Sequence, residues 1–181
     1  MIGNHRDITE LTGQADQIKS QLASSEGERE RWEAIFDNVE EAILVTDQKG
    51  KILRSNPASE ILSGLSEKDI IGREFNDIFP LQNQHGIPMT GDLFPGLEAL
   101  MTREAIEYFE AKFTNSEGRE AWLGISVSPT FYQKNDREEA EVIFVMRDVS
   151  RLKEIDQAKS DFVSMASHEL RTTLTDINGY I

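Results

Sequence analysis

Apolar residues follow two different spacings along this chain. Ile8, Leu11, Ala15, Ile18 and Leu22 stand three and four residues apart, which is the a/d seam of a coiled coil. The same frame continues through Ser25, Arg29, Trp32, Phe36 and Val39, with Ser25, Gly27 and Arg29 weakening its middle. A seam this short is marginal alone. It predicts either pairing with a second chain or an amphipathic helix packed on its own domain.

From residue 41 the period shifts to two. Glu41–Asp47 and Lys51–Ser55 read as strands joined by the turn Gln48-Lys49-Gly50. Asn56-Pro57 then opens a helix, since Asn caps well and Pro suits the first helical position. Gly64 suits its end. Ser66, with Asp69 three residues later, starts another short helix that ends near Gly72. The stretch PLQNQHGIPMTGDLFPG (80–96) reads as loop, and Leu97–Arg103 as helix. Ile106–Phe113, Ala121–Thr130 and Glu141–Val149 read as three strands, with turns at Asn115–Gly118 and the polar loop QKNDREE. Hairpin-linked strands are antiparallel. The period returns to helical at Arg151. Leu152, Ile155, Ala158, Phe162 and Met165 form one stripe, and Val163, Ala166, Leu170, Leu174, Ile177 and Ile181 a second that drifts into it. No Gly or Pro interrupts residues 151–178.

The pattern divides the 181 residues into a coiled-coil linker (1–31), a mixed domain (32–150) and a second helical region (151–181). Charge follows the same division. Of the net −14, residues 32–150 hold −11, while the helical ends hold −2 and −1. An acid excess argues against a broad nucleic-acid or anionic-membrane surface, both of which need Lys and Arg. The absence of cysteine excludes disulfide scaffolds, thiolate metal sites and a cysteine nucleophile. No apolar stretch reaches the ~20 residues of a membrane span, and the first residues lack the apolar core of a secretory signal. The expected location is cytoplasmic, within a parent that is either free or membrane-anchored. Arg6-Asp7-Ile8-Thr9-Glu10-Leu11 echoes Arg147-Asp148-Val149-Ser150-Arg151-Leu152. Either the echo is chance, or residues 1–10 are the tail of a preceding copy of the domain.

Phe162–Ile181, FVSMASHELRTTLTDINGYI, resembles the H-box that opens the dimerisation and phosphotransfer domain of sensor histidine kinases. At 100° per residue, His168 lies two positions from both Ala166 and Leu170 and so points away from the apolar stripe. Thr172 shares its face and Glu169 stands beside it. Neutral imidazole is a competent nucleophile near pH 7. The resemblance implies that His168 accepts the γ-phosphoryl of ATP. It assigns Glu169 as the acid/base partner on the other ring nitrogen, and Thr172 as the residue that positions water in the phosphatase reaction. A metal reading fails, because position 172 is Thr and the zinc motif of two His four apart is absent. One departure is Thr173, where the family usually carries Pro. Pro bends a helix and Thr lets it continue straight, which puts the usual kink in question but not the acceptor.

The middle region resembles a PAS domain. The carrying features are AILVTDQKGKILRSNPASEILSG, IGREF, HGIPM with a following Pro, the turn SEGRE before a Trp-containing strand, and the closing RDVS. The resemblance implies an α+β PAS fold, a five-stranded antiparallel sheet with flanking helices, set between N- and C-terminal coiled-coil helices. Asp148 would tie the last strand to the exit helix and couple the signal. No reactive cysteine is available for flavin. His85, in a Gly/Pro-rich loop, and His5, near the start, read as solvated, so no bound chromophore is expected. Phe75, Phe79, Met89, Phe94, Met101, Trp122, Phe144 and Met146 read as core.

These readings converge on the sensory and dimerisation fragment of a two-component sensor histidine kinase. Its implied partners are a second copy of the chain, a response regulator receiver domain and a kinase ATP-binding domain that uses ATP and Mg²⁺. No cofactor is expected within the chain. It ends thirteen residues after His168, without a second bundle helix or nucleotide-binding motif, so it is not expected to phosphorylate itself. The alternative is a ligand-binding PAS dimerisation module without phosphotransfer.

Overall fold

The computed structural model describes residues 26–178, with side chains as far as His168. The seam from Ile8 to Leu22, His5 and the echo at Arg6–Leu11 lie outside the described residues. Of the described residues, 26–40 belong to one unit and 41–178 to another. In the first unit, residues 26–38 form helix α1. Trp32 and Phe36, one turn apart, bring their rings to 6.0 Å.

The second unit is built on one antiparallel sheet of six strands. In chain order its elements are β1 (Ala42–Asp47), β2 (Ile52–Ser55), α2 (Pro57–Ser63), α3 (Glu67–Ile70), α4 (Phe75–Ile78), β3 (Leu81–Gln82), α5 (Pro95–Thr102), β4 (Ile106–Thr114), β5 (Glu120–Lys134), β6 (Arg137–Asp148) and α6 (Ser150–Asn178). The sheet order is β2-β1-β6-β5-β4-β3. The first and last long strands therefore lie side by side, with Leu44 opposite Phe144. The short helices between β2 and β4 supply the other half of the core.

Alternation does what period two requires. On β5, Leu123, Ile125 and Val127 are fully buried, and on β6 so are Val142, Phe144 and Met146. The intervening positions form the opposite face. Against the buried face, Phe75 stacks on Phe144 at 4.3 Å, and Phe79 and Phe94 each lie 5.5 Å from Phe75. Gly96 makes room for this cluster, because a Cβ there would fall 2.7 Å from Phe94 and 3.0 Å from Phe144.

The Asn56-Pro57 start is realised in full. The Asn56 carboxamide oxygen accepts from the Ser59 backbone N–H at 3.1 Å, and Gly64 ends α2 in the left-handed region at φ 73°. Four expectations need correction. The sheet has a sixth strand, β3, which pairs Leu81 with Phe113 and Gln82 with Lys112. Two residues inside a Gly/Pro-rich stretch carry no visible alternation. Helix α4 was not expected either, since four residues are too few to show a helical period. Most of the polar loop QKNDREE is strand, and only Asn135 and Asp136, both at positive φ, make the turn. Such a two-residue turn matches the twist of a hairpin, so the polar residues beside it extend the ladder. Finally, two residues read as core are not: Met101 is 76% exposed, on the outward side of α5, whose buried residues are Pro95, Gly96 and Ala99, and Trp122 is half-buried on the face of β5 opposite Leu123, Ile125 and Val127.

Candidate functional site

The candidate site begins where the sheet ends and the exit helix starts. Asp148 is the last residue of β6, and its carboxylate accepts from the Ser150 N–H at 2.8 Å, so it caps the first turn of α6. Trp122 on β5 makes two further ties. Its carbonyl accepts from the Val149 N–H at 2.8 Å, and its N–H donates to the Ser150 hydroxyl at 2.9 Å. The start of α6 is thereby fixed to β5 and β6 by backbone and short polar side chains.

One turn further on, Lys153 reaches back to the sheet. Its ammonium pairs with the Glu110 carboxylate on β4 and lies 4.3 Å from the centre of the Trp122 ring. Glu110 also accepts from the Tyr108 hydroxyl at 3.1 Å. The Lys153 ammonium holds the Glu110 carboxyl below the usual carboxylate range, against a smaller upward push from burial. Burial, then the neighbouring Glu110, raises the Tyr108 phenol. Lys112 approaches the same indole at 5.5 Å. None of Glu110, Tyr108 and Lys153 was singled out in the sequence. The only hint is a Trp preceded by the turn SEGRE, because three side chains from one strand and a helix more than forty residues away carry no joint spacing.

Beyond this root, α6 runs unbroken to Asn178, through Thr172 and Thr173. His168 lies on it with an exposed side chain. Glu169 and Thr172 lie on the same helix, one and four residues on, beyond the described side chains. Asp148 and His168 are thus joined by one continuous element. The apolar stripe is open: Leu152 is 58% exposed, Ile155 56% and Phe162 65%. His85 lies exposed in the loop after β3, where its backbone N–H donates to the Asn83 side chain at 2.9 Å. Among the described residues no group of three or more His, Asp or Glu side chains is placed to hold a metal, and no helix is long and apolar enough to cross a membrane.

The sheet order, the helices on one face and the capped exit helix define a sensory module. Residues 40–151 match the family model of the PAS domain, and the chain belongs to that family. Its curated relatives include sensor kinases. The sensor protein kinase WalK of Staphylococcus epidermidis is 27% identical over 164 residues, 91% of this chain and 24% of that protein. The WalK of Staphylococcus aureus is 26% identical with the same coverage. The chain thus spans about a quarter of the length of these kinases. A match of 164 residues cannot stop short of Ser164, so the likeness runs past the PAS region and into α6. Among solved structures, the PAS domain of a Colwellia psychrerythraea protein is 26% identical with a TM-score of 0.53, covering 68% of this chain and 97% of that one. The PAS domain of nitrogen regulation protein NR(II) from Vibrio parahaemolyticus is 25% identical with a TM-score of 0.50, covering 64% and 95%. The chain carries a sensory PAS module related to those of two-component sensor histidine kinases.

Proposed function

We propose that this chain is the sensing and dimerisation part of a two-component sensor histidine kinase, and that His168 is its phosphoacceptor. The observation that carries the reading is the single helix Ser150–Asn178, capped by Asp148 at the end of the sensor sheet and bearing the H-box. Residues 1–31 act as the entry linker, 32–150 as the sensor and 151–181 as the output. Two copies pair in parallel through their terminal helices. Asp148 couples the last strand to α6, so a change in the sheet biases the helix between two states.

In the phosphotransfer step, one ring nitrogen of His168 attacks the γ-phosphorus of ATP and the bond to the ADP oxygen breaks. The other ring nitrogen keeps its proton, held by the Glu169 carboxylate, until the charge is released. ATP and Mg²⁺ come with a kinase domain outside these residues. A response regulator then receives the phosphoryl group, and Thr172 orients water when that regulator is dephosphorylated. The module works on the cytoplasmic side, where ATP is available.

The test is to incubate the purified chain with MgATP and a sensor-kinase ATP-binding domain added in trans. An acid-labile, base-stable phosphate on the chain is expected, and none on His168→Gln. Label that persists at the same level in His168→Gln moves the site elsewhere. No label on either protein favours the second reading, a PAS dimerisation module without phosphotransfer. Thr173 in place of the usual Pro is the feature that speaks for that reading.

A further inference from the structure

We propose that Lys153 is a latch through which the sensor sheet sets the rotation of α6 about its own axis, and hence the direction in which His168 faces. This deepens the reading above and rests on it for its link to phosphotransfer. The latch itself is a property of the chain alone.

The ties made by Asp148, Trp122 and Ser150 all lie at or before the first residue of the helix. They fix where α6 begins. They leave its rotation and tilt to whatever side chain reaches back from further along, and Lys153 does so. Its receptor is built from two strands. On β5, Gly124 has no Cβ, which allows the Tyr108 ring of β4 to lie across that strand; a Cβ there would fall 2.7 Å from the ring. Tyr108 in turn holds Glu110, and Glu110 with the Trp122 ring receives the ammonium. A cation over an indole with a carboxylate at its side combines two attractive terms in one partly shielded place. Beside it lies a groove of about 540 Å³, lined by Lys153, Trp122, Tyr108, Glu110, Met89 and His85 among others. The neighbourhood thus has room for the lysine to leave.

Helical arithmetic carries the consequence to His168. Lys153 and His168 are fifteen residues apart, about 22 Å along the axis and about 60° around it. Ile155 and Phe162 lie within about 20° of the side opposite Lys153, and both are exposed. With Lys153 engaged, the apolar stripe is turned away from the sheet towards a second copy, and His168 is held on the polar side. With Lys153 released, nothing beyond the first residue of the helix among these ties enforces that choice.

The experiment uses the whole chain with Lys153→Gln, Lys153→Arg, Glu110→Gln and, as control, Lys112→Gln. Hydrogen exchange in the first two turns of α6 is expected to quicken on the order of three- to tenfold in Lys153→Gln and in Glu110→Gln. It should quicken no further when the two are combined, return towards native in Lys153→Arg, and stay native in Lys112→Gln. The chain has no cysteine, so Phe162→Cys and Ser164→Cys report rotation directly. Disulfides between two copies are expected at position 162 and not at 164, and Lys153→Gln should bring the two yields together. Unchanged exchange and an unchanged 162-to-164 ratio in Lys153→Gln overturn the latch. Absence of disulfides in the native background instead removes the dimer reading, and the exchange result then decides the latch by itself.

Discussion

Asn56 shows how much one side chain can hold. It is fully enclosed, and its carboxamide oxygen accepts from the Ile43 N–H at 2.9 Å and the Ser59 N–H at 3.1 Å, while its NH₂ donates to the Glu41 carbonyl at 2.9 Å. It caps α2 and at the same time ties that helix to β1. Truncating it leaves the partly buried Ile43 N–H and Glu41 carbonyl short of a partner, whereas the Ser59 N–H keeps the Asn56 backbone carbonyl at 2.9 Å. With the lost cap added, Asn56→Ala should lower stability by about 2 kcal/mol. A urea titration should show a reduced midpoint at unchanged slope. The cap was legible in the sequence as Asn before Pro. The grip on β1 was not, since thirteen residues separate Asn56 from Ile43 and only the fold brings them together. Lys153 is a stronger case of the same limit. In the sequence it is one polar residue on a polar helix face, and its partners Glu110 and Trp122 become visible only once β4, β5 and α6 are assembled.

Elements were read well where a period had room to repeat. The long strands and α6 were plain, whereas α4 and β3, at four and two residues, were too short for any period. The polar residues QKNDREE hide the length of the β5–β6 hairpin, because an exposed ladder near a tight turn is as polar as a loop. Helix α6 also carries a prediction that belongs to it as a unit. The Glu110 carboxyl is held low in the folded chain chiefly by Lys153. A depressed carboxyl contributes its stabilisation above the unfolded carboxylate range and loses it as pH falls through the folded value. The groups facing Glu110 are Lys153 from α6 and Tyr108 from its own strand, with Lys112 across the indole and His85 and Glu98 lining the same groove; Glu110→Gln separates its part from theirs. On acidification through and below the carboxylate range, the first turn of α6 should loosen, seen as faster amide exchange after correction for intrinsic rates. The part of that loosening due to this pair should be missing in Glu110→Gln. Since both side chains are about a third exposed, added salt should shrink the effect.

For the molecule as a whole, charge and apolar pattern act against each other. The net charge of −14 sits mostly on residues 32–150, so two copies repel. The stripe of Leu152, Ile155 and Phe162 attracts them. Pairing should tighten as salt rises from about 0.02 to about 0.3 M, because screening removes repulsion and leaves apolar contact intact. Sedimentation should show that shift, and Phe162→Glu should weaken association at least about tenfold. The family was legible because motifs of modest individual weight fell in the right order, and the proposal for His168 rests on the string of residues around it. The contacts that root α6 were illegible, since they are tertiary and lie at the end of the helix far from His168. That distance has a mechanical consequence. From Ser150 to His168 is about 27 Å of stiff rod. A tilt of about 5° at the base swings the imidazole through roughly 2 Å, and misplacement by about 1 Å is enough to cost phosphoryl-transfer-like reactions on the order of a hundredfold. On the function proposed for His168, the sensor needs no large rearrangement to be heard: α6 then acts as a lever, and angular play too small to disturb the packing of the sheet becomes, at its working end, the difference between contact and a miss.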